Sequence, residues 1–262
     1  LSFACADLLA SLGGWRFAFI AAAVSAAFAW LIVAITIPGR GRAATTPPAA
    51  HALFDFRPVF RNRSAMAYAI AYCFHTFEMS ALRGWGVAFL GFVAATTGAA
   101  GTLSPTMALT LLGLAGTLAS VLGNEASIHF GRRRLIWLSM IGSALCAAFL
   151  GIFGTQSYPL AVALVLIYGP IIWLDSSSLT AGTAGTAEPA KRGATLAVHS
   201  MLGYLGGFVG PLAVGWTLDL GGADSRSAWT AAFLGIAALM ILTLVVFVAM
   251  RPRSLEGDRG AA

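Results

Sequence analysis

Residues 229–250 read WTAAFLGIAALMILTLVVFVAM, a continuous apolar run without a charged side chain. A helix of roughly 20 apolar residues is long enough to cross the hydrocarbon core of a bilayer. Comparable runs precede it at residues 15–37, 64–93, 103–123, 135–153, 160–180 and 194–218, and a shorter apolar stretch occupies residues 1–12. The sequence therefore predicts an all-α fold, a polytopic transmembrane helical bundle.

The composition agrees with a membrane protein and gives no sign of an enzyme. Hydrophobic residues make up 58% of the chain and charged residues 10%, against roughly 25% charged residues in soluble domains. The sequence contains no zincin, nucleophile-elbow, Walker or dinucleotide-binding motif. Cys5, Cys73 and Cys146 stand singly in apolar runs, without metal-ligand spacing. We expect no enzymatic activity, no cofactor and no metal.

The basic residues are distributed as they are in membrane proteins that keep positive loops inside. Most of the 16 Lys and Arg residues lie in alternate loops, and they are Arg40, Arg42, Arg57, Arg61, Arg63, Arg132, Arg133, Arg134, Lys191, Arg192, Arg251, Arg253 and Arg259. The other loops contain only Arg16 and Arg226. The positive-inside rule then predicts a cytoplasmic C-terminus. This placement accounts for the net charge of +6 without a nucleic-acid partner. Arg in place of Lys, with abundant Ala and Gly, favours a bacterial inner (plasma) membrane.

The longest loop divides the chain. Residues 38–63 begin with PGRGRAATTPPAA and continue with phenylalanines and arginines. Such a mixture is typical of a segment in the lipid headgroup region, although a solvated linker has a similar composition. We therefore expect residues 1–37 as one part, this loop, residues 64–250 as a six-helix part, and residues 251–262 as a cytoplasmic tail.

A short loop between two of the runs contains a recognisable motif. Residues 123–134 read GNEASIHFGRRR. This segment resembles the loop signature of the major facilitator superfamily, in which a Gly precedes an Asp–basic pair and then Gly-Arg-Arg or Gly-Arg-Lys. Gly131, Arg132 and Arg133 match, while Ile128 stands at the position of the Asp. Glu125, one helical turn earlier, is a substitute for that carboxylate.

The resemblance covers essentially the whole chain and implies a function. It implies a secondary transporter, a symporter or antiporter that moves a small solute by alternating access, here from the end of the fifth helix to the twelfth. A Trp opens the runs 15–37 and 229–250, with a Phe four residues later, as expected of two homologous halves. The implied partners are a small-molecule solute, protons, membrane lipids and the missing N-terminal half of the polypeptide. Two alternatives stay open, a transporter-like receptor or scaffold and an inactive fragment.

Ionisable residues inside the runs are functional candidates, because burying them in a membrane is costly. His75, Glu78 and Arg83 lie in the run matching the seventh helix of the family, Asp175 in the tenth and His199 in the eleventh. The resemblance places these helices at the central cavity. We predict Glu78 as the proton-coupling site, His75 as its neighbour one turn away, and Asp175 as the second candidate. Alternatives are a structural His75–Glu78 pair and a hydrated Asp175 at the cytoplasmic mouth.

Four residues are candidates for the solute cavity, namely Arg83, Trp85, Tyr168 and His199. Trp85 follows Glu78 by seven residues and returns to the same helix face, where its ring offers a stacking surface. Arg83 has the alternative of reaching the outer headgroups. His199 has the alternative of a hydrogen bond to a neighbouring backbone carbonyl.

Proline and glycine residues indicate where a helix bends or where two helices come into close contact. Pro170 removes a backbone hydrogen bond in mid-run and predicts a kink. The small-residue spacing predicts a close helix contact, which either slides during transport or is static, and its residues are Gly203, Gly206, Gly207, Gly210 and Pro211. Arg132 and Arg133 lie beside helix ends, where they are expected to hold one conformation closed.

Overall fold

A computed structural model describes residues 2–36, 55–98 and 103–258, and every regular element in these ranges is helical. The chain divides into two units, Leu1–Asp55 and Phe56–Ala262. The first unit contains α1, Ser2–Thr36, whose helical path is interrupted at Gly13 and Gly14. Gly14 has a φ of 72°, a conformation that glycine adopts without strain. The interruption separates the apolar stretch 1–12 from the run 15–37.

The second unit contains the remaining helices. They are α2 (Arg57–Arg61), α3 (Arg63–Thr97), α4 (Pro105–Phe130), α5 (Arg132–Phe153), α6 (Tyr158–Trp173), α7 (Ser176–Thr186), α8 (Arg192–Gly221) and α9 (Arg226–Met250), with a 3₁₀ turn at Pro189–Lys191. Side-chain capping defines where two of these helices begin. The Asn62 side chain accepts a hydrogen bond from the Ala65 N–H at 3.1 Å, and Ser104 accepts from Met107 at 3.2 Å, as N-cap residues do. The proline-rich part of the predicted 38–63 loop lies outside the described residues.

The prediction of an all-α membrane bundle is confirmed. Seven helical segments in the described part of the chain are long and apolar enough to cross a membrane. Their bounds are Cys5–Thr36, Arg63–Thr97, Pro105–Phe130, Arg132–Phe153, Tyr158–Thr186, Pro189–Gly221 and Arg226–Met250. The second segment is longer than the predicted run 64–93.

The segment Tyr158–Thr186 is not one continuous helix. Pro170 lies inside α6, which ends at Trp173, and α7 begins at Ser176. Because proline has no N–H to donate, it weakens the helix over the turn that it occupies. Where α6 ends, the Ile171 carbonyl accepts hydrogen bonds from the Leu174 N–H at 3.4 Å and from the Ser139 hydroxyl of α5 at 2.8 Å. Asp175 is left at the N-cap of α7, and its side chain makes no capping hydrogen bond there.

Helices α3 and α8 share the most extensive helix–helix contact of the second unit. The glycines Gly206 and Gly210 of α8 lie against the backbone carbonyls of Cys73 and Phe77, with no room for a Cβ atom. The Thr76 hydroxyl donates across this contact to the Gly203 carbonyl at 2.7 Å. A side chain at either glycine would separate the backbones, so the small-residue spacing of α8 sets the distance between the two helices.

One end of the second unit is closed by the chain after α9, and it is called the tail end below. The helices α3, α5 and α8 begin there, and α4, α7 and α9 end there. The Tyr68 hydroxyl donates to the Arg253 carbonyl at 2.8 Å, and the Arg253 N–H donates to the Ser64 hydroxyl at 3.0 Å. Leu255 packs against Gly185 of α7. The residues after Met250 therefore fold back across the helix ends.

Candidate functional site

Six polar and aromatic side chains lie in the interior of the second unit and are called the buried polar cluster below. They are Tyr72, His75 and Glu78 of α3, Tyr168 of α6, Asp175 at the break before α7, and His199 of α8. On α3 the spacing of three residues keeps them on neighbouring positions of one face. His75 and Glu78 are each 1% exposed and Asp175 is 2% exposed, so these three side chains are shielded from solvent, while Tyr72 is half-buried.

Glu78 is held by a tyrosine from α6. The Tyr168 hydroxyl donates to Oε1 of Glu78, and the two oxygens are 2.6 Å apart. Oε2 of Glu78 has no hydrogen-bond partner among the described residues, while Ser143 of α5 faces the same carboxyl group. A buried carboxylate is stable only when its partners replace the lost water. The free oxygen leaves room on Glu78 for a proton.

His75 is paired with Asp175. Nδ1 of His75 and Oδ1 of Asp175 are 3.0 Å apart, with both side chains almost fully buried. The two groups are nevertheless not oriented for a hydrogen bond. Oδ1 of Asp175 and Nε2 of His75 both lack a hydrogen-bond partner in the part of the chain that the structure describes. The two side chains are therefore in close polar contact without a formed hydrogen bond.

These contacts correct two expectations about the cluster. His75 pairs with Asp175 and makes no hydrogen bond to Glu78. Side chains three residues apart on a helix point in directions that differ by about 60° around the helix axis. Each then meets a different neighbour, α7 for His75 and α6 for Glu78. The alternative of a hydrated Asp175 at a cytoplasmic mouth is wrong, since its carboxylate is buried.

His199 is held from two sides. Its ring stacks on Tyr72 with a centroid distance of 4.0 Å, and Tyr72 in turn stacks on His75 at 5.7 Å. Nε2 and Nδ1 of His199 are 3.2 Å and 3.1 Å from the hydroxyls of Thr180 and Thr183 of α7. The expected alternative of a backbone carbonyl partner is wrong. Tyr72 therefore connects the two histidines across the α3–α8 contact.

Two predicted cavity residues lie apart from the cluster. Arg83 is exposed and makes no hydrogen bond or ion pair with any residue that the structure describes. Trp85 donates from Nε1 to the Pro211 carbonyl of α8 at 2.8 Å and meets Trp229 of α9 edge-on. The expectation that Trp85 shares a site with Glu78 is wrong, because seven residues advance a helix by about 10 Å and bring it against other neighbours.

The loop motif acquires a partner from the C-terminal tail. Gly131 joins α4 to α5 with a φ of 89°, which favours glycine. The Arg132 guanidinium binds Asp258 in a bidentate manner, with Nε–Oδ2 and Nη2–Oδ1 distances of 3.0 and 3.1 Å. Nη1 also donates to Asn124 and to the Ser178 carbonyl, both at 3.3 Å. Arg132 is 3% exposed, and its contacts join α4, α5, α7 and the tail.

Glu125 does not replace the missing carboxylate of the motif. It is exposed, and its Oε1 lies 3.8 Å from Nε2 of His129 on the same helix. Asp258, far along the sequence, supplies the carboxylate for Arg132 instead. The spacing of the motif contains no signal for Asp258, because the tail reaches the loop only through the tertiary fold.

The packing residues of α6 and α8 lie around the cluster. Pro170 lies two residues after Tyr168, in the last turn of α6. Gly207 faces the Ser80 hydroxyl, and Pro211 lies against Gly84 of α3. No group of three His, Cys, Asp or Glu side chains among the described residues has an arrangement that could hold a metal ion. The buried polar cluster combines two carboxyl groups, two imidazoles and two phenol hydroxyls.

The seven potential spans in the described part of the chain define a polytopic membrane protein. The family model of the Major Facilitator Superfamily matches residues 79–261, more than half of the 262 residues. The chain belongs to the major facilitator superfamily, whose members are typically transporters of small solutes. No curated protein matches the chain.

The pair between Arg132 and Asp258 generates a prediction about stability. Asp258→Asn removes the counter-charge of a buried guanidinium, and breaking one side of such a pair costs about 3–5 kcal/mol. We expect a clear decrease in the Tm of the purified protein, measured by thermal unfolding in detergent. Glu256→Gln, an exposed carboxylate of the same tail, is the control and should leave Tm unchanged. Equal Tm values for the two variants would contradict the assignment.

Proposed function

We propose that this protein is a secondary active transporter that moves a small solute by alternating access and is driven by protons, with Glu78 as the proton site. The observation that carries the proposal is the burial of Glu78 at 1% exposure, with a hydrogen bond from Tyr168 to Oε1 and an Oε2 that lacks a hydrogen-bond partner among the described residues. Intramembrane carboxylates of this kind are typical of proton relays in transporters.

The chemistry follows from the partners of Glu78. A proton on Oε2 removes the charge that the apolar surroundings disfavour, while Oε1 keeps the hydrogen bond from Tyr168. When the bundle opens and water reaches the carboxyl group, hydration favours the ionised form and the proton leaves. Loading at one membrane face and unloading at the other couples the proton to the conformational cycle, and thereby to solute movement.

His75 and Asp175 act as the second proton-binding element in this proposal. Their charge contact joins α3 to the break between α6 and α7. Transfer of a proton into or out of the pair changes the attraction across this junction, because it removes or creates the opposite charges. We expect this change to alter the position of α7 relative to α3, as a hinge in a broken helix permits.

The solute is proposed to contact Arg83 in place of the buried members of the cluster. Arg83 is exposed and unpaired within the described residues, whereas Tyr168 and His199 are 0% and 4% exposed. Tyr168 is therefore assigned to the hydrogen bond with Glu78, and His199 to the contact between α7 and α8. Contact of Arg83 with outer lipid headgroups is the competing role, which solute protection of this residue from chemical modification would exclude.

A transport assay tests the proton site. In proteoliposomes with an imposed pH gradient, a mixture of small metabolites is offered and the accumulated compounds are identified by mass spectrometry. We expect Glu78→Gln to abolish pH-driven accumulation and to retain exchange of preloaded solute, because the variant keeps the shape of the side chain but cannot change its charge. Glu125→Gln, which alters an exposed carboxylate, is the control and should transport as the wild type does.

Two results would contradict the proposal in different ways. Undiminished pH-driven accumulation by Glu78→Gln would exclude Glu78 as the coupling site. The His75–Asp175 pair would then be the remaining candidate. Binding of a compound by the wild type without any accumulation or exchange would favour a receptor or scaffold.

The proposed orientation places the tail end in the cytoplasm of a bacterial cell. It rests on the basic residues gathered there, which include Arg132, Arg192 and Arg251. With the native cysteines replaced, Gly193→Cys at the tail end and Ala223→Cys at the opposite end introduce labels at exposed positions. We expect an impermeant maleimide added to intact cells to modify only Ala223→Cys, and a permeant reagent to modify both. Efficient external labelling of Gly193→Cys would reverse the orientation.

A further inference from the structure

A second polar site lies at the tail end of α5, away from the buried polar cluster. It is a groove of about 550 Å³ whose polar side is lined by Arg133, Arg134 and Trp137. Leu138 and Ile141 line its apolar side. Neither the proton chemistry nor the Arg132–Asp258 pair involves these five residues.

Two donors of this groove have no acceptor among the residues that the structure describes. Nε of Arg133 and Nε1 of Trp137 are buried and lack a hydrogen-bond partner within the described ranges. Arg134 is exposed and has no ion pair there either. The neighbouring Arg132, in contrast, uses its guanidinium on Asp258, Asn124 and Ser178. Because a buried donor without a partner is costly, the groove is suited to an anion that accepts hydrogen bonds from both residues.

The donor set matches a phosphate group. Guanidinium groups bind phosphate oxygens through planar, charge-assisted hydrogen bonds. An indole N–H beside an apolar surface is typical of the membrane interface, where the ring is in contact with acyl chains and the N–H with headgroups. Two arginines and a tryptophan on consecutive turns of one helix therefore present donors at the depth of the lipid headgroups.

The surface below the groove indicates that the phosphate belongs to a lipid. Arg134, Leu138, Ile141, Leu145 and Phe149 follow one another at spacings of four, three, four and four residues, which is a single face of α5. The four apolar side chains of this stripe are 57%, 40%, 53% and 49% exposed. We propose that the groove binds the phosphate headgroup of an anionic membrane phospholipid, with an acyl chain along the stripe.

Lipid binding to the purified protein tests this site. Phosphatidylglycerol is titrated into the full chain in a neutral detergent, and the bound lipid is counted by native mass spectrometry. We expect Arg133→Gln with Arg134→Gln to weaken binding of the first lipid roughly tenfold, as the loss of two basic residues beside an anionic headgroup implies. Trp137→Phe keeps the ring and removes only the N–H, and it should weaken binding by a smaller factor.

The control removes the same charge elsewhere at the tail end. Arg192→Gln with Arg251→Gln alters two exposed arginines and should leave the affinity of the first lipid unchanged. If both double variants weaken lipid binding equally, the effect comes from net charge alone, and the proposal of a specific lipid site is wrong. Unchanged binding in Trp137→Phe and in the Arg133/Arg134 variant would also overturn it. Displacement of phosphatidylglycerol by millimolar inorganic phosphate would show that the groove takes a soluble anion, which contradicts a lipid ligand.

Discussion

The break between α6 and α7 is the feature on which the buried polar cluster depends. Pro170 weakens the end of α6, and the helix resumes only at Ser176. Asp175 therefore lies at a junction where its carboxylate caps no backbone and meets His75 at 3.0 Å. The restarted helix also supplies the threonine hydroxyls that hold His199. One interruption thus provides partners for both histidines.

Helix α7 also connects the cluster to the tail end. At its start, Asp175 contacts His75 of α3, and in its first turn the Ser178 carbonyl accepts a hydrogen bond from Arg132. Arg132 is in turn bound to Asp258 of the tail. A displacement of α7 would alter these contacts together. In the proposed transport cycle, proton movement in the cluster affects the Arg132–Asp258 contact of the tail through this short helix.

The sequence predicts the fold more completely than the site. Seven apolar runs predict the seven potential spans, because span length follows from bilayer thickness, and the loop motif predicts the superfamily. The ionisable residues within the apolar runs identify Glu78, His75 and Asp175 as candidates. They do not show which side chains are in contact, since this depends on helix rotation and on the break after Trp173. Tyr72 could have been found from its spacing to His75. Asp258 could not, because its contact with Arg132 joins residues separated by the whole second half of the chain.

Infrared difference spectroscopy tests most directly whether Glu78 binds and releases the coupling proton. Spectra of the protein in lipid are recorded between acidic and alkaline pH, and the carbonyl band of a protonated, membrane-buried carboxyl group is followed. We expect a titrating band that is lost in Glu78→Gln, kept in Glu125→Gln, and shifted in frequency by Tyr168→Phe, which removes the hydrogen bond to Oε1. Persistence of the same band in Glu78→Gln would exclude Glu78 as the proton site.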